Sequence, residues 1–162
     1  MTVTIDGSAS VTINSGAVLG INSSTAVAST SGTSIDFTSI PSWVKRITVM
    51  FNGVSTSGTS NLQIQLGTSS GVTSTGYLSY SIRLSTSAVS GGANFTTGFG
   101  ISAATASYVM SGATTISSFS GNTWAANGFY AESTTVIGLP VAGAVTLAAT
   151  LDRVRITTVN GT

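Results

Sequence analysis

The sequence contains no cysteine and no histidine. Without cysteine there is no disulfide, no thiolate nucleophile and no thiolate metal ligand. Without histidine a Ser–His–Asp triad, a Cys–His pair and an imidazole zinc site are all excluded. Charge is almost as scarce: charged residues make up 6% of the 162 residues, against a usual ~25%. The net charge of +1 leaves no electrostatic footprint for nucleic acid or an acidic membrane, so no nucleic-acid partner is expected. No apolar run approaches the ~18–20 residues of a membrane span, so no membrane insertion is expected. The N-terminal MTVTIDGSAS lacks the basic and apolar regions of a signal peptide, so the expectation is a protein that begins its life in a cytoplasm. The acids are only Asp6, Asp36, Glu132 and Asp152. Glycoside hydrolysis needs two carboxylates flanking a sugar, and calcium needs clustered oxygen ligands. Four scattered acids specify neither. The expectation is a protein that is not an enzyme, with no catalytic residue, no metal and no cofactor.

What is present is apolar and small. Hydrophobic residues make up 41% of the chain, with 19 glycines, and about a third of it is Ser or Thr. That is not the low-hydrophobicity, high-charge profile of a disordered chain. Ser, Thr and Gly serve turns and outer strand faces, and Val, Ile and Thr suit a pleated surface. A surface this poor in charge is unusual for a free monomer. Much of it is therefore expected to be covered by copies of the same chain or by partners.

Residues 1–32 read as an N-terminal arm and linker, and residues 33–162 as one β-sandwich domain. VTIDG (residues 3–7) and VTINSG (residues 11–16) are short strand-like pieces, followed by a run of small and polar residues. From residue 33 the alternation is clear. Ile35 and Phe37 face one way. After a turn at Pro41–Ser42, Trp43, Lys45, Ile47, Val49 and Phe51 share a face opposite Val44, Arg46, Thr48, Met50 and Asn52. Leu62, Ile64 and Leu66 alternate with Asn61, Gln63 and Gln65. Leu78, Tyr80, Ile82 and Leu84 alternate with Ser79, Ser81 and Arg83. Further strands are expected at 95–101, 107–119, 122–131, 144–150 and 152–159, where Val154 and Ile156 oppose Arg153 and Arg155. No window carries a helical repeat. Eight or nine short strands point to an all-β, antiparallel sandwich of jelly-roll type. Its expected core is Phe37, Trp43, Ile47, Val49, Phe51, Leu62, Ile64, Leu66, Val154 and Ile156.

Three groups of side chains are candidates for binding. Lys45 and Arg46 are adjacent, so on one strand they point to opposite faces and cannot clamp a ligand together; a solvated strand face is the simpler account. Arg153 and Arg155 share a face and suit a solvated or interfacial surface, or an acidic or sugar-phosphate ligand. Trp124, Phe129 and Tyr130, in GNTWAANGFYA, could stack on sugars or serve as core and interface anchors.

The blocks TSIDFTSIPSWVKRITVMFNGVSTSGTSNLQIQLG, GYLSYSIRL, TTGFGI, SGNTW and LDRVRITTVNGT together resemble a domain of tailed-bacteriophage structural proteins of the tail-fibre type, over residues ~30–162. The first and last blocks are the most specific. The resemblance implies a β-sandwich or jelly-roll module on a virion surface, commonly a homotrimer, with a role in assembly and attachment. It implies other virion proteins as partners, at the tail or baseplate or on the major capsid protein, with a host surface glycan as a further one. The expected location is the virion, assembled in the bacterial host cytoplasm. The leading expectation is a short homotrimeric tail fibre with a host-binding tip. The alternatives are a capsid decoration or cement protein and, from a different class, a carbohydrate-binding module resting on Trp124, Phe129 and Tyr130. Members of the family continue past the NGT block into one more hydrophobic strand. Here the expectation is a sheet edge left open, filled by another subunit, or completed by further chain.

Overall fold

A computed structural model describes residues 11–13, 16–18, 21–30, 32–134 and 137–160. The VTIDG piece with Asp6 and the end of the NGT block lie outside them. The chain is an all-β, antiparallel sandwich. Near the N-terminus β1 (Val11–Ile13) pairs with β2 (Gly16–Val18), and residues 21–30 are exposed and form no strand. The sandwich is built from β3 (Ser34–Phe37), β4 (Arg46–Val54), β5 (Leu62–Thr68), β6 (Gly71–Val72), β7 (Leu78–Leu84), β8 (Val89–Phe95), β9 (Phe99–Ile101), β10 (Met110–Ser120), β11 (Thr123–Glu132), β12 (Ile137–Thr146) and β13 (Arg153–Thr158). One sheet has the order β4-β10-β11-β12-β7-β8. The other has the order β3-β13-β5-β6, with β9 also paired to β5.

Register explains the core. Paired residues on neighbouring antiparallel strands share a face. In the larger sheet Phe51, Gly112, Tyr130 and Leu139 form one inward row, and Ile47, Ile116, Ala126, Gly143 and Ser79 another. In the smaller sheet Ile35, Ile156, Ile64 and Phe99 line up, and next to them Phe37, Val154 and Leu66. Val49, Phe51, Leu62, Ile64, Leu66 and Val154 are buried, Ile47 and Ile156 pack against them, and Phe37 is half-buried. The Phe51 and Tyr130 rings meet at 5.0 Å, and Tyr77 meets Phe99 edge-on at 5.1 Å. A bulge between Met110 and Gly112 bends β10, and Gly112 sits there at φ 153°. A Cβ at Gly112 would fall 2.3 Å from the Phe129 carbonyl oxygen, so the position admits only glycine.

Three expectations need correction. Trp43 is not core; it is 52% exposed. The chain turns at Pro41–Val44, closed by the Val44 N–H donating to the Pro41 carbonyl (3.0 Å), so the strand starts only at Arg46 and Lys45 lies before it. The second correction is to β7. Its alternation is as expected, but the polar set faces inward: Ser79 and Ser81 are buried, while Leu78 and Tyr80 are outside. The reason is β9, whose Phe99 and Ile101 pair with β5. Its remaining N–H groups point the other way and need acceptors. Ser79 Oγ accepts from Gly100 N–H (3.2 Å) and Ser81 Oγ from Ser102 N–H (3.1 Å). Two small hydroxyls stitch the sheets along this side, where leucines would hold them apart. The third correction is to the late strand expected at 144–150, which lies at Ile137–Thr146. It includes Pro140 inside a sheet, yet the β12–β7 ladder passes from Gly138↔Leu84 to Val141↔Ser81 and skips the proline.

Candidate functional site

Loops gather at one end of the sandwich. Pro41–Lys45 leads from β3 into β4, Gly121–Asn122 turns β10 into β11, and Thr150–Leu151 leads into β13. They enclose a cleft of about 130 Å³, lined by Pro41, Ser42, Val44, Lys45, Gly121, Asn122, Trp124, Thr150 and Leu151. Backbone hydrogen bonds hold the loops in place. The Ser118 N–H donates to the Lys45 carbonyl (2.8 Å), the Leu147 N–H to the Asn122 carbonyl (3.0 Å), and the Ile40 N–H to the Asp152 carbonyl (2.8 Å). Ser39, on the approach, takes a left-handed φ of 61°, a conformation that costs a non-glycine residue roughly 1–2 kcal/mol. The lining is mixed: Lys45, Asn122, Ser42 and Thr150 bring an ammonium, an amide and two hydroxyls to a cleft that the buried Trp124 also lines. Such a set can donate to and accept from a polyhydroxylated ligand while an aromatic side chain supplies apolar contact.

Of the two tryptophans, Trp43 departs from the core role expected of it, and Trp124 takes the core-anchor role of the two open to it. Trp124 is 4% exposed and belongs to the core, while Trp43, on the loop that lines the cleft, is half in solvent. Nothing in the alternation distinguishes them, because both sit at the start of a β run. The proline two residues before Trp43 was the available signal that it lies on a turn. Tyr130 is likewise fully buried, and its hydroxyl shares a hydrogen bond with Thr114 Oγ1 (2.7 Å). Burial pushes the Tyr130 phenol up to about 12, with the Thr114 hydrogen bond opposing. Phe129 points the other way and is 53% exposed. Trp124, Phe129 and Tyr130 therefore do not form one platform.

The charged candidates are paired within the protein. Asp36 on β3 lies directly opposite Arg155 on β13. The pair is bidentate: Arg155 Nε donates to Oδ1 at 2.7 Å and Nη2 to Oδ2 at 2.8 Å. These hydrogen bonds hold the Asp36 carboxyl below its usual range and raise Arg155 further. Arg153 reaches back to Asp152 at 3.0 Å and to the Ser69 carbonyl at 3.3 Å. Both arginines share a face, as expected, and each already has a carboxylate. Arg83 lies over the Tyr108 ring at 4.8 Å and donates to its hydroxyl. Glu132 is buried at the end of β11, where its carboxylate accepts the Thr134 N–H. Lys45 and Arg46 differ from these arginines in being exposed, one at the cleft and one on the outer face of the larger sheet.

Compared with protein-family models, curated proteins and solved structures, the chain matches none.

Proposed function

We propose that this chain is a non-enzymatic surface protein of a tailed-phage virion, a short homotrimeric tail fibre whose loop end binds a glycan on the host surface. The observation that carries the reading is the cleft, lined by Lys45, Asn122, Ser42, Thr150 and Trp124, with the half-exposed Trp43 on the loop of Ser42 and Lys45. The resemblance to phage virion domains supports it too. Its two most specific blocks supply β4 in the larger sheet and β3, β13 and β5, which pair side by side in the smaller one, where Asp36–Arg155 joins β3 to β13. A stiff sandwich with small hydroxyl-rich loops at one end suits a tip that must hold its shape on a repetitive surface.

The test is binding of the purified protein to host cells, with purified host surface polysaccharide as competitor. The polysaccharide should block binding, and Trp43→Ala and Lys45→Ala should each weaken it while leaving the circular dichroism unchanged. Cell binding that neither variant alters would sink the tip assignment. Copy number in purified virions separates the tail from the head. A small fraction of the major capsid protein fits a fibre, a ratio near one to one makes the protein a decoration or cement protein, and absence from the particle refutes the virion reading.

A further inference from the structure

The outer face of the larger sheet is nearly without charge and mixes large apolar side chains with small uncharged polar ones. Met50, Leu78, Tyr80 and Phe129 stand on it with exposures of 77%, 79%, 49% and 53%. Register puts them in ordered rows: Met50, Ala113, Phe129 and Pro140 are successive neighbours, and in the next row Thr48, Thr115, Asn127, Ala142, Tyr80 and Asn94. Among the described residues the one charged side chain on this face is Arg46, at its corner.

The large rings lie down on the sheet. A Cβ at Gly138 would come within 2.5 Å of the Phe129 ring, and one at Gly92 within 2.0 Å of the Tyr80 hydroxyl oxygen. Two glycines thus let two aromatics cover their neighbours.

We propose that this face seats against the same face of a second copy of the chain. The inference rests on the reading that copies assemble, and it names the surface they share. Charge selects the occupant. A partner bearing charges here would bury them without a counter-charge, which is costly. A second copy brings an equally charge-poor face, with Arg46 alone at its corner to be kept apart from its twin. The area is adequate. Six strands at ~4.8 Å spacing, with five outward positions along β11 at ~6.8 Å, give a footprint of roughly 650 Å², close to the ~800 Å² per partner of a standard interface. Around a three-fold axis each copy turns this face inward, one half of it against the other half of each neighbour's, so the footprint is shared between two neighbours and Asn127, near its middle, comes close to its equivalents.

The chain has no cysteine of its own, so a single introduced thiol reports cleanly. Asn127→Cys should cross-link into covalent dimers with a short bis-maleimide, whereas Ser34→Cys, on the opposite sheet, should not. Ala142→Lys, and separately Met50→Lys, place an ammonium on the exposed face without touching the core. Each should weaken association by about a hundredfold or more, with far-ultraviolet circular dichroism retained. An assembled wild type whose lysine variants assemble equally well, or which cross-links through Ser34→Cys alone, overturns this face and leaves the assembly reading standing. A monomeric wild type overturns both. A monomeric wild type that loses host-cell binding through Ala142→Lys shows a host ligand on the face in place of a second copy.

Discussion

Ser81→Ala should destabilise the protein more than Leu78→Ala, although serine is the smaller and more polar residue. The Ser81 hydroxyl accepts the Ser102 N–H at 3.1 Å in a site with 1% exposure. Alanine removes the acceptor and leaves a buried N–H unpaired, at a cost of about 1–3 kcal/mol. Ser79→Ala removes the acceptor of the Gly100 N–H and should cost about as much. Leu78 is 79% exposed, so only about a fifth of the ~1.5–3 kcal/mol for burying a leucine is at stake, or ~0.5 kcal/mol. Because Leu78 also lies on the proposed contact face, both variants belong in the Ala142→Lys background, where assembly does not add to stability. Urea denaturation gives each midpoint, and an unchanged slope keeps the comparison valid. A Leu78→Ala loss of 2 kcal/mol or more beside a neutral Ser81→Ala would refute the inward placement of the serines, and with it the account of how β9 is held.

Phe51→Ala should cost roughly 3–5 kcal/mol, since the ring is 4% exposed and packs on Tyr130; a loss under about 1 kcal/mol in the same titration would contradict its place in the core. At low pH the Asp36–Arg155 pair weakens. The folded carboxyl titrates below its unfolded value, so its stabilisation is complete above the unfolded pKa and is lost as pH falls through the folded one. The pair is partly exposed, so the effect should stay below about 1 kcal/mol, and Asp36→Asn should flatten that part of the acid limb. At high pH the sign reverses. Burial raises Tyr77 and Tyr130 to about 12, so stability is full below ~10 and is lost as pH rises toward 12. Phenolate absorbance should show two tyrosines that ionise only as the fold is lost; their titration at ~10 in the folded protein would contradict their burial.

How much of this was legible depended on whether a feature is local. β3 and β13 carry alternation with isoleucine, phenylalanine and valine on one side, and they fold as that alternation reads. In β5 the leucines and Ile64 face the core as expected, but Gln63 and Gln65 are buried too, donating to the Thr158 and Thr97 carbonyls, so the strand is covered on both faces and not half-buried. In β7 the period of two is equally plain, but a period gives two faces and not which one is inside. That choice was made by β9, far away in the sequence, through its need for two hydrogen-bond acceptors. β12 was obscured by Gly138, Pro140 and Gly143, which locally argue against a strand; only the gap in its pairing with β7 makes the proline tolerable. The cleft was half visible. Lys45 stands out by its charge, and Trp124 is open to a core or a sugar-stacking role on residue type alone; Trp43 reads as core because the alternation runs back to it through a turn that extends to Val44. The order of strands, and hence the charge-poor outer face, depends on pairings between distant segments that composition does not encode.

The central claim is that a surface so poor in charge is covered by copies of itself. Sedimentation equilibrium on the purified protein, in low salt and again in ~0.5 M salt where ionic contacts are screened, tests it most directly. The account predicts a particle of about three times the 16.1 kDa chain mass, unchanged by salt because charges are too few to hold it. A stable 16.1 kDa monomer would contradict the claim, and an assembly that dissociates in salt would contradict its apolar basis.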